Sequence, residues 1–457
     1  MPELYQHQKD AVQFLHENNG GFLAYAVGTG KTLIVLETFK RWHAQGYKLL
    51  VICPLTLIKE AWEKDNTRFT NFKFLSLRER ARHDADIYAI NFEALLSEKR
   101  RYEICDLARK HKLIVVIDES SRISNPNAKT TKYLMAMRHL FKICICLSGT
   151  PCSQSETQWW SQINFVKPGT LHDSFFAFRN TYFHLQRGGQ IMKPGPIPKD
   201  IAKTLFSKGW KYMISAHKRE QMIGRISPIV RWKRLEECID MPDEVDQIRP
   251  VIMTDDQKQS YKMMKQECVA EIKEQLIPAT TALTKLVKLR TITSGFAYTP
   301  DGEAIRFNDN PKLDELKEVL DDLGSEKVVV FCNFKAEIND IKALLGDTCV
   351  TVDGDTPDKS EAISRFRSGE VQYLIANEAS ISHGVTLVEA RYMVFYSHSY
   401  SAEKFVQARA RIRRIGQTGA CVYIHLLCEG TIDEVILDVL KNKQDAVEIV
   451  RRLMSDD

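Results

Sequence analysis

The sequence predicts an α/β chain of two parallel-sheet domains joined by a largely helical, partly basic connecting region. Three observations predict it. Short runs of Val, Ile, Leu and Cys recur in both halves with little polar alternation, the pattern of strands buried on both faces. The segments between them are long enough for crossover helices. At 457 residues the chain exceeds one ordinary compact domain.

The first-half runs are Lys48–Pro54, Asp86–Asn91, Lys112–Asp118 and Lys142–Ser148. The second-half runs are Lys327–Asn333, Val371–Asn377, Arg391–Ser397 and Cys421–Leu427, with crossover helices such as Ala336–Leu345 and Lys359–Phe366. Between them, Pro168 to about Asn310 has few strand signals. It holds the Pro/Gly-rich Lys193–Pro198 and helical patterns at Thr254–Leu276 and Thr280–Ser294. The expected division is a first α/β domain over 1–167, a connecting region over 168–310 and a second α/β domain over 311–457.

Composition excludes more than it names. A 44% hydrophobic, 27% charged chain builds real cores and is not broadly disordered. The net charge of +5 is too mild to point to a partner. Its distribution says more: from Arg187 to Arg234 twelve Lys or Arg stand against Asp200 and Glu220, a candidate nucleic-acid surface or a solvated face. Eleven cysteines without a zinc-spaced CxxC pair read as reduced, buried thiols of an intracellular protein. No apolar run reaches the roughly 18 residues a membrane span needs, and no apolar signal segment opens the chain. The twelve histidines are scattered without an HxxxH pair, so no histidine-held metal is expected. The adjacent Trp159 and Trp160 are expected in the core of the first domain.

Gly28-Thr29-Gly30-Lys31-Thr32 follows the apolar run Phe22–Ala26 and precedes the helical pattern Leu33–Trp42. Strand, glycine turn and helix start are the context of a phosphate loop. Backbone N–H groups of Gly28, Thr29 and Gly30 can close on phosphate oxygens, with the helix N-terminus adding a favourable field. Lys31 then neutralises β and γ phosphates, and Thr32 holds Mg²⁺ through its hydroxyl. The full pattern has Gly where this chain has Tyr25. Lys112–Asp118 ends in Asp118-Glu119, acids at the carboxyl end of a buried strand, where ligands bind in such folds. Asp118 fits a Mg²⁺ ligand and Glu119 the residue that orients and deprotonates the attacking water. These residues imply ATP and Mg²⁺ as cofactors.

Leu147-Ser148-Gly149-Thr150-Pro151 resembles motif III of the superfamily 2 helicases. Gln407 to Gln417, ending Arg-Ile-Gly-Gln, resembles motif VI in its SNF2 form. The resemblance to the SNF2-like branch, in a compact type of bacterial or phage character, runs in order through nearly the whole chain. Leu4–Gln8 with Val12 resembles the adenine-reading Q motif, with Gln8 as its glutamine. Val51–Leu57, Asn91–Glu93, Val330–Phe334 and Ser380–Leu387 resemble motifs Ia, Ib, IV and V, and Gly430–Glu434 the family's C-terminal GTIEE-like stretch. In three places the chain departs from the family. Tyr25-Ala26-Val27 replaces Asp-Glu-Met, Ser121 stands where the DExH box has His, and motif V keeps one glycine, Gly384.

The resemblance implies two RecA-like domains and a nucleic-acid motor. ATP would be bound through Gln8, the phosphate loop, Gly384 and Gln407. Arg411 and Arg414, sharing a helix face by their three-residue spacing, would be arginine fingers worth roughly 10³–10⁵ in rate. Ser148, Gly149 and Thr150 would couple hydrolysis to motion. Thr56, Asn91, Asn333 and Thr386 would touch the nucleic acid, mostly through phosphates, so the grip is sequence-independent and salt-sensitive. The favoured partner is double-stranded DNA, and a monomer in the cytoplasm of a bacterium or infected cell, or in a nucleus, is expected. A strand-separating helicase and an ATP-switched clamp without turnover are the alternatives.

Overall fold

The computed structural model describes residues 3–78, 84–152, 155–187, 190–192, 205, 210–238, 241–274, 283, 285–299, 301–381, 385–442, 449 and 452. The Lys193–Pro198 stretch and Gly384 lie outside them. The chain divides into two compact units, Met1–Asp240 and Met241–Asp457.

The first unit opens with α1 (Gln6–Glu17), β1 (Gly20–Tyr25), α2 (Lys31–His43) and β2 (Tyr47–Cys53). A π-helical turn follows at Ile58–Glu63, then β3 (Phe74–Ser76), β4 (Ile87–Asn91), α3 (Glu98–Lys110), β5 (Lys112–Asp118), α4 (Lys129–Met137), β6 (Ile143–Leu147) and α5 (Trp159–Val166). Beyond them come α6 (Phe175–Tyr182), β7 (Phe183–Arg187), β8 (Gln190–Met192), β9 (Lys211–Ile214), α7 (Ala216–Ile226) and β10 (Val230–Lys233). Seven strands form one sheet in the order β10-β1-β6-β5-β2-β4-β3, and every pairing in it is parallel.

Burial explains the near-continuous apolar runs. Phe22, Leu50, Ile52, Val115, Ile117, Cys144 and Cys146 pack on one face with Ile104, Leu134, Ile163, Phe178 and Ile226 of the helices. Their neighbours Leu23, Leu49, Val51, Ile114, Val116, Ile143 and Ile145 pack on the other with Phe14, Ile34 and Phe39 of α1 and α2. Alternate residues therefore serve two cores, and the central strands keep no face for polar side chains. Trp159 is buried against Phe22, with ring centroids 5.3 Å apart, as core packing predicts.

The second unit runs β11 (Glu244–Val251), α8 (Asp255–Glu274), α9 (Val287–Thr293), the hairpin β12 (Phe296–Tyr298) and β13 (Ala304–Arg306), then α10 (Pro311–Leu323) and β14 (Val328–Cys332). It continues with α11 (Lys335–Leu345), β15 (Cys349–Val352), α12 (Lys359–Ser368), β16 (Tyr373–Asn377), β17 (Tyr392–Phe395), α13 (Ala402–Arg409), β18 (Cys421–Cys428) and α14 (Ile432–Lys441). Its six-stranded sheet, β11-β18-β17-β14-β16-β15, is also parallel throughout. Both units thus carry the α/β architecture expected from the sequence.

The middle of the chain has strands beside its helices. β10 extends the first sheet, β11 extends the second, and β7, β8 and β9 form a small antiparallel sheet. β8, β9, β10 and β11 escape a hydrophobicity reading because they lie at sheet edges, and β7, between β8 and β9, is short and only alternately buried. From Glu244 to Ile248 every residue of β11 is exposed, and Pro250 is tolerated there as in other edge strands.

Asp433, in the stretch Gly430–Glu434, is structural. Its carboxylate accepts from Lys312 Nζ at 2.5 Å and Thr293 Oγ1 at 3.0 Å, and Lys312 is 1% exposed. Asp433→Ala leaves the Lys312 ammonium buried without its counter-charge. The expected loss is about 3–5 kcal/mol of unfolding free energy, measured by denaturant titration against the unaltered chain.

Candidate functional site

In the first unit the expected site residues converge at the carboxyl ends of three adjacent strands. β1 and β6 are paired through Leu23 and Leu147, and β5 and β6 through Asp118 and Leu147. The loop 26–30 leaves β1, Glu119 leaves β5 and Ser148 leaves β6, so three chain segments meet at one edge, where open α/β sheets bind ligands.

The loop turns on two glycines in the left-handed region, Gly28 at φ 90° and Gly30 at φ 78°. Gly30 is the residue before α2, whose first amides have no partner inside the helix. A Cβ at Gly30 would sit 2.4 Å from Nε2 of Gln8, so this position admits no side chain without displacing Gln8. The loop is clamped from α1: His7 Nε2 lies 3.0 Å from the Thr29 carbonyl oxygen, and Gln8 Nε2 donates to the same oxygen at 3.2 Å. Thr29 is buried and donates its hydroxyl to the Ala26 carbonyl at 2.9 Å. Lys31 Nζ donates to the carbonyls of Tyr25 at 2.9 Å and Ala26 at 3.1 Å, which holds its charge within the loop. Thr32 follows in the first turn, half-buried. Tyr25, in place of the pattern's glycine, points into the core at 1% exposure. Its hydroxyl lies 3.5 Å from the His7 carbonyl, and burial pushes it up to about 12.

Asp118 is 6% exposed. Burial raises its pKa, while the Lys31 charge and the Trp62 N–H pull the other way. Trp62 Nε1 donates to Asp118 Oδ2 at 3.0 Å, and the Glu119 amide donates to Oδ1 at 3.0 Å. Glu119 adopts φ 55°, an uncommon conformation for a non-glycine residue and one concentrated at functional sites. Fully buried Ser148 accepts from the Thr150 amide at 3.1 Å. A Cβ on Gly149 would come within 3.0 Å of Val27 Cγ2, so this segment lies directly against the phosphate loop. Thr150 Oγ1 is buried with no hydrogen-bond partner among the described residues.

The residues present fit a magnesium–nucleotide. The two left-handed glycines form a cradle that Cβ atoms would fill, Lys31 lies inside it, and its charge reaches a buried carboxylate.

Other expected contacts are placed as follows. Thr56 is exposed in the short helical turn Leu55–Leu57 that follows β2. Asn91 donates to Glu93 Oε2 at 2.7 Å, while its Oδ1 is buried without a hydrogen-bond partner among the described residues. In the second unit Asn333 Nδ2 donates to the Ser397 carbonyl at 2.8 Å. Its own carbonyl accepts from Asn377 Nδ2 at 3.0 Å, so it ties the ends of β14 and β16 to the segment after β17. Thr386 is half-buried and offers its carbonyl to Arg367. Gln407 is buried and donates to Glu403 at 3.3 Å.

The arginine run is sorted by partner. Arg409 pairs with Glu244 and Asp246 of β11 and lies 3.8 Å above the Tyr423 ring. Arg413 donates to the Pro242 carbonyl at 3.2 Å. Arg411, 3% exposed, donates to the Val385 carbonyl at 3.2 Å, and Arg414 is half-buried. The three-residue spacing predicts a shared helix face for Arg411 and Arg414, but α13 ends at Arg409 and both lie in the turns beyond it. The chain is drawn off the helix axis because Arg411 accepts from the Leu387 amide at 2.9 Å. The Gln417 amide also fastens the segment to the carbonyls of Val388 and Ala390.

Sequence reading missed His7, Trp62, Ser120 and Gln162. Local signals existed for His7, inside Leu4–Gln8, for Ser120, beside Glu119, and for Trp62, shortly after Val51–Leu57.

A model of the SNF2-related domain matches residues 7–295, and one of the helicase conserved C-terminal domain matches residues 311–416. The chain belongs to the SNF2-related family. This SNF2-related chain is 24% identical over 477 residues to an uncharacterised ATP-dependent helicase of Mycoplasma genitalium, across 99% of its own length and 42% of the relative's. It is 23% identical over 500 residues to the DNA repair and recombination protein RAD54-like of Drosophila ananassae, covering 96% of this chain and 62% of that one. It therefore spans less than two thirds of either relative. A Sulfolobus solfataricus SWI2/SNF2 ATPase core solved in complex with dsDNA aligns over 96% of this chain and 91% of that one, at 22% identity and a TM-score of 0.44. Among the described residues, no helix is long and apolar enough to cross a membrane.

Proposed function

We propose that this chain is an ATP-driven motor that moves along double-stranded DNA. The observation that carries the reading is the meeting of the phosphate loop, Asp118–Glu119 and Ser148–Thr150 at one sheet edge, in a chain of the SNF2-related family. Lys31 balances charge on the β and γ phosphates of ATP. Thr32 and Asp118 would hold Mg²⁺, which supplies further charge neutralisation at those oxygens. Glu119 orients the attacking water and takes its proton. Gln8 and Gln407 take the nucleotide side of the site, as does Gly384, outside the described residues.

Arg411 and Arg414 supply positive charge where negative charge develops on the transferred phosphoryl group. They do so when the two units close on one ATP, and the alternation of closing and opening moves the chain along DNA. Thr56, Asn91, Asn333 and Thr386, with exposed arginines of the basic segment such as Arg219, Arg225 and Arg231, grip the phosphates. The division of labour into 1–167, 168–310 and 311–457, a monomeric state and an intracellular place belong to the same proposal. The Drosophila relative's name as a DNA repair and recombination protein supports DNA as the track.

The test is ATP turnover with double-stranded DNA, single-stranded DNA and RNA, each over a salt series. The reading expects the largest stimulation by double-stranded DNA, falling with salt as phosphate contacts are screened. Turnover that ignores every nucleic acid would overturn it.

A further inference from the structure

We propose that Gln162 is a positioning residue that links the Asp118–Glu119 turn to the segment Ser148–Pro151. This rests on the motor reading above. The backbone pairing of β5 and β6 ends at Asp118 and Leu147. The two segments that carry the proposed chemistry begin just past that point.

A buried side-chain bridge joins them there. Ser120, next to Glu119, is 0% exposed and donates its hydroxyl to Gln162 Oε1 at 2.7 Å. Gln162, on α5 and also 0% exposed, donates from Nε2 to the Pro151 carbonyl at 2.8 Å and to the Gln158 carbonyl at 2.9 Å. The amide uses its acceptor at one end and both donors at the other, so its orientation is fixed. Turning it over would set its oxygen against two carbonyl oxygens. A shift of Glu119 therefore moves the Ser120 hydroxyl, the Gln162 amide and the Pro151 carbonyl together. Gly149, two residues before Pro151, rests against Val27 of the phosphate loop, which closes the ring.

Packing alone does not call for this polar bridge. Beside it on α5 lie the buried hydrophobics Trp159, Ile163, Phe165 and Val166 and the buried polar Ser161 and Asn164, whose side chains donate to the carbonyls of Ser124 and His172 and not to these two segments. Gln162→Leu takes the amide donor from the Pro151 carbonyl, at a cost of about 1–3 kcal/mol, so unfolding is measured beside turnover. That separates coupling from folding and sets the test.

Gln162→Leu, Ser120→Ala and the double variant are compared with the unaltered chain for ATP kcat and KM, with and without saturating double-stranded DNA, and for denaturant unfolding. The expected result is a fall of about tenfold or more in the ratio of DNA-stimulated to unstimulated kcat in each variant, with KM for ATP within about twofold. The double variant is expected to be no worse than the worse single one, as for residues acting as one unit. Full DNA stimulation in Gln162→Leu would overturn the proposal and leave the motor reading intact. So would equal losses with and without DNA that track a lowered unfolding midpoint. An unaltered chain that DNA does not stimulate overturns the motor reading, and the link falls with it.

Discussion

Lys31→Ala is expected to cut ATP turnover by at least about 10²–10³-fold while the protein stays folded. The magnitude is that of removing one preorganised charge from a developing phosphoryl transition state. The geometry explains why the fold survives. Lys31 Nζ donates to the carbonyls of Tyr25 and Ala26 in the same turn and its charge acts on Asp118, while the loop is held independently by Gly28 and Gly30, by the Thr29 hydroxyl and by His7 and Gln8 of α1. Losing one charged donor to two partly buried carbonyls costs about 1–3 kcal/mol, well below the stability of an ordinary domain. Steady-state turnover and circular dichroism on the same preparation check both halves. Retained turnover with a native spectrum would show that the glycine turn holds no phosphate.

Arg414→Ala is expected to lower kcat by roughly 10³–10⁵, with the affinity for ATP changed only a few-fold. Two neighbouring arginines are tied into the second unit by contacts of their own. Arg409 is tied to Glu244 and Asp246 and lies over Tyr423, and Arg413 binds the Pro242 carbonyl. Arg409→Ala is the control: it should lower the unfolding midpoint, because it removes these contacts. Arg411, nearly buried against the Val385 carbonyl, also shapes the 385–390 segment, so Arg414 is the cleaner probe. Single-turnover kinetics beside equilibrium nucleotide binding separates the two effects. Equal losses in affinity and turnover would assign Arg414 to ground-state binding.

The central strands were legible because they are buried on both faces. β2, β4, β5, β6, β14, β16, β17 and β18 each fall within, or a residue or two from, an apolar run. β11 was not, since its exposed Glu, Asp and Gln give no hydrophobic signal and only pairing with β18 makes it a strand. The phosphate loop and Asp118–Glu119 were legible because their chemistry needs particular residues at fixed local spacing. Their supports were not. Trp62 meets Asp118 across 56 positions, His7 meets Thr29 across 22 and Ser120 meets Gln162 across 42, and no periodicity in the chain encodes such contacts. The arginine segment was misread in its geometry for the same reason. The end of α13 is set by hydrogen bonds to the 385–390 loop rather than by helix propensity.

The decisive measurement is photo-cross-linking with an ATP analogue carrying its reactive group on the γ-phosphate, mapped by mass spectrometry in the presence of DNA. Labels competed away by ATP should appear both in the peptide around residues 28–32 and in the peptide around residues 411–417, and both should vanish in Lys31→Ala. Labelling confined to the first unit, with the arginine segment untouched, would mean that one unit alone surrounds the nucleotide and that no shared site drives movement.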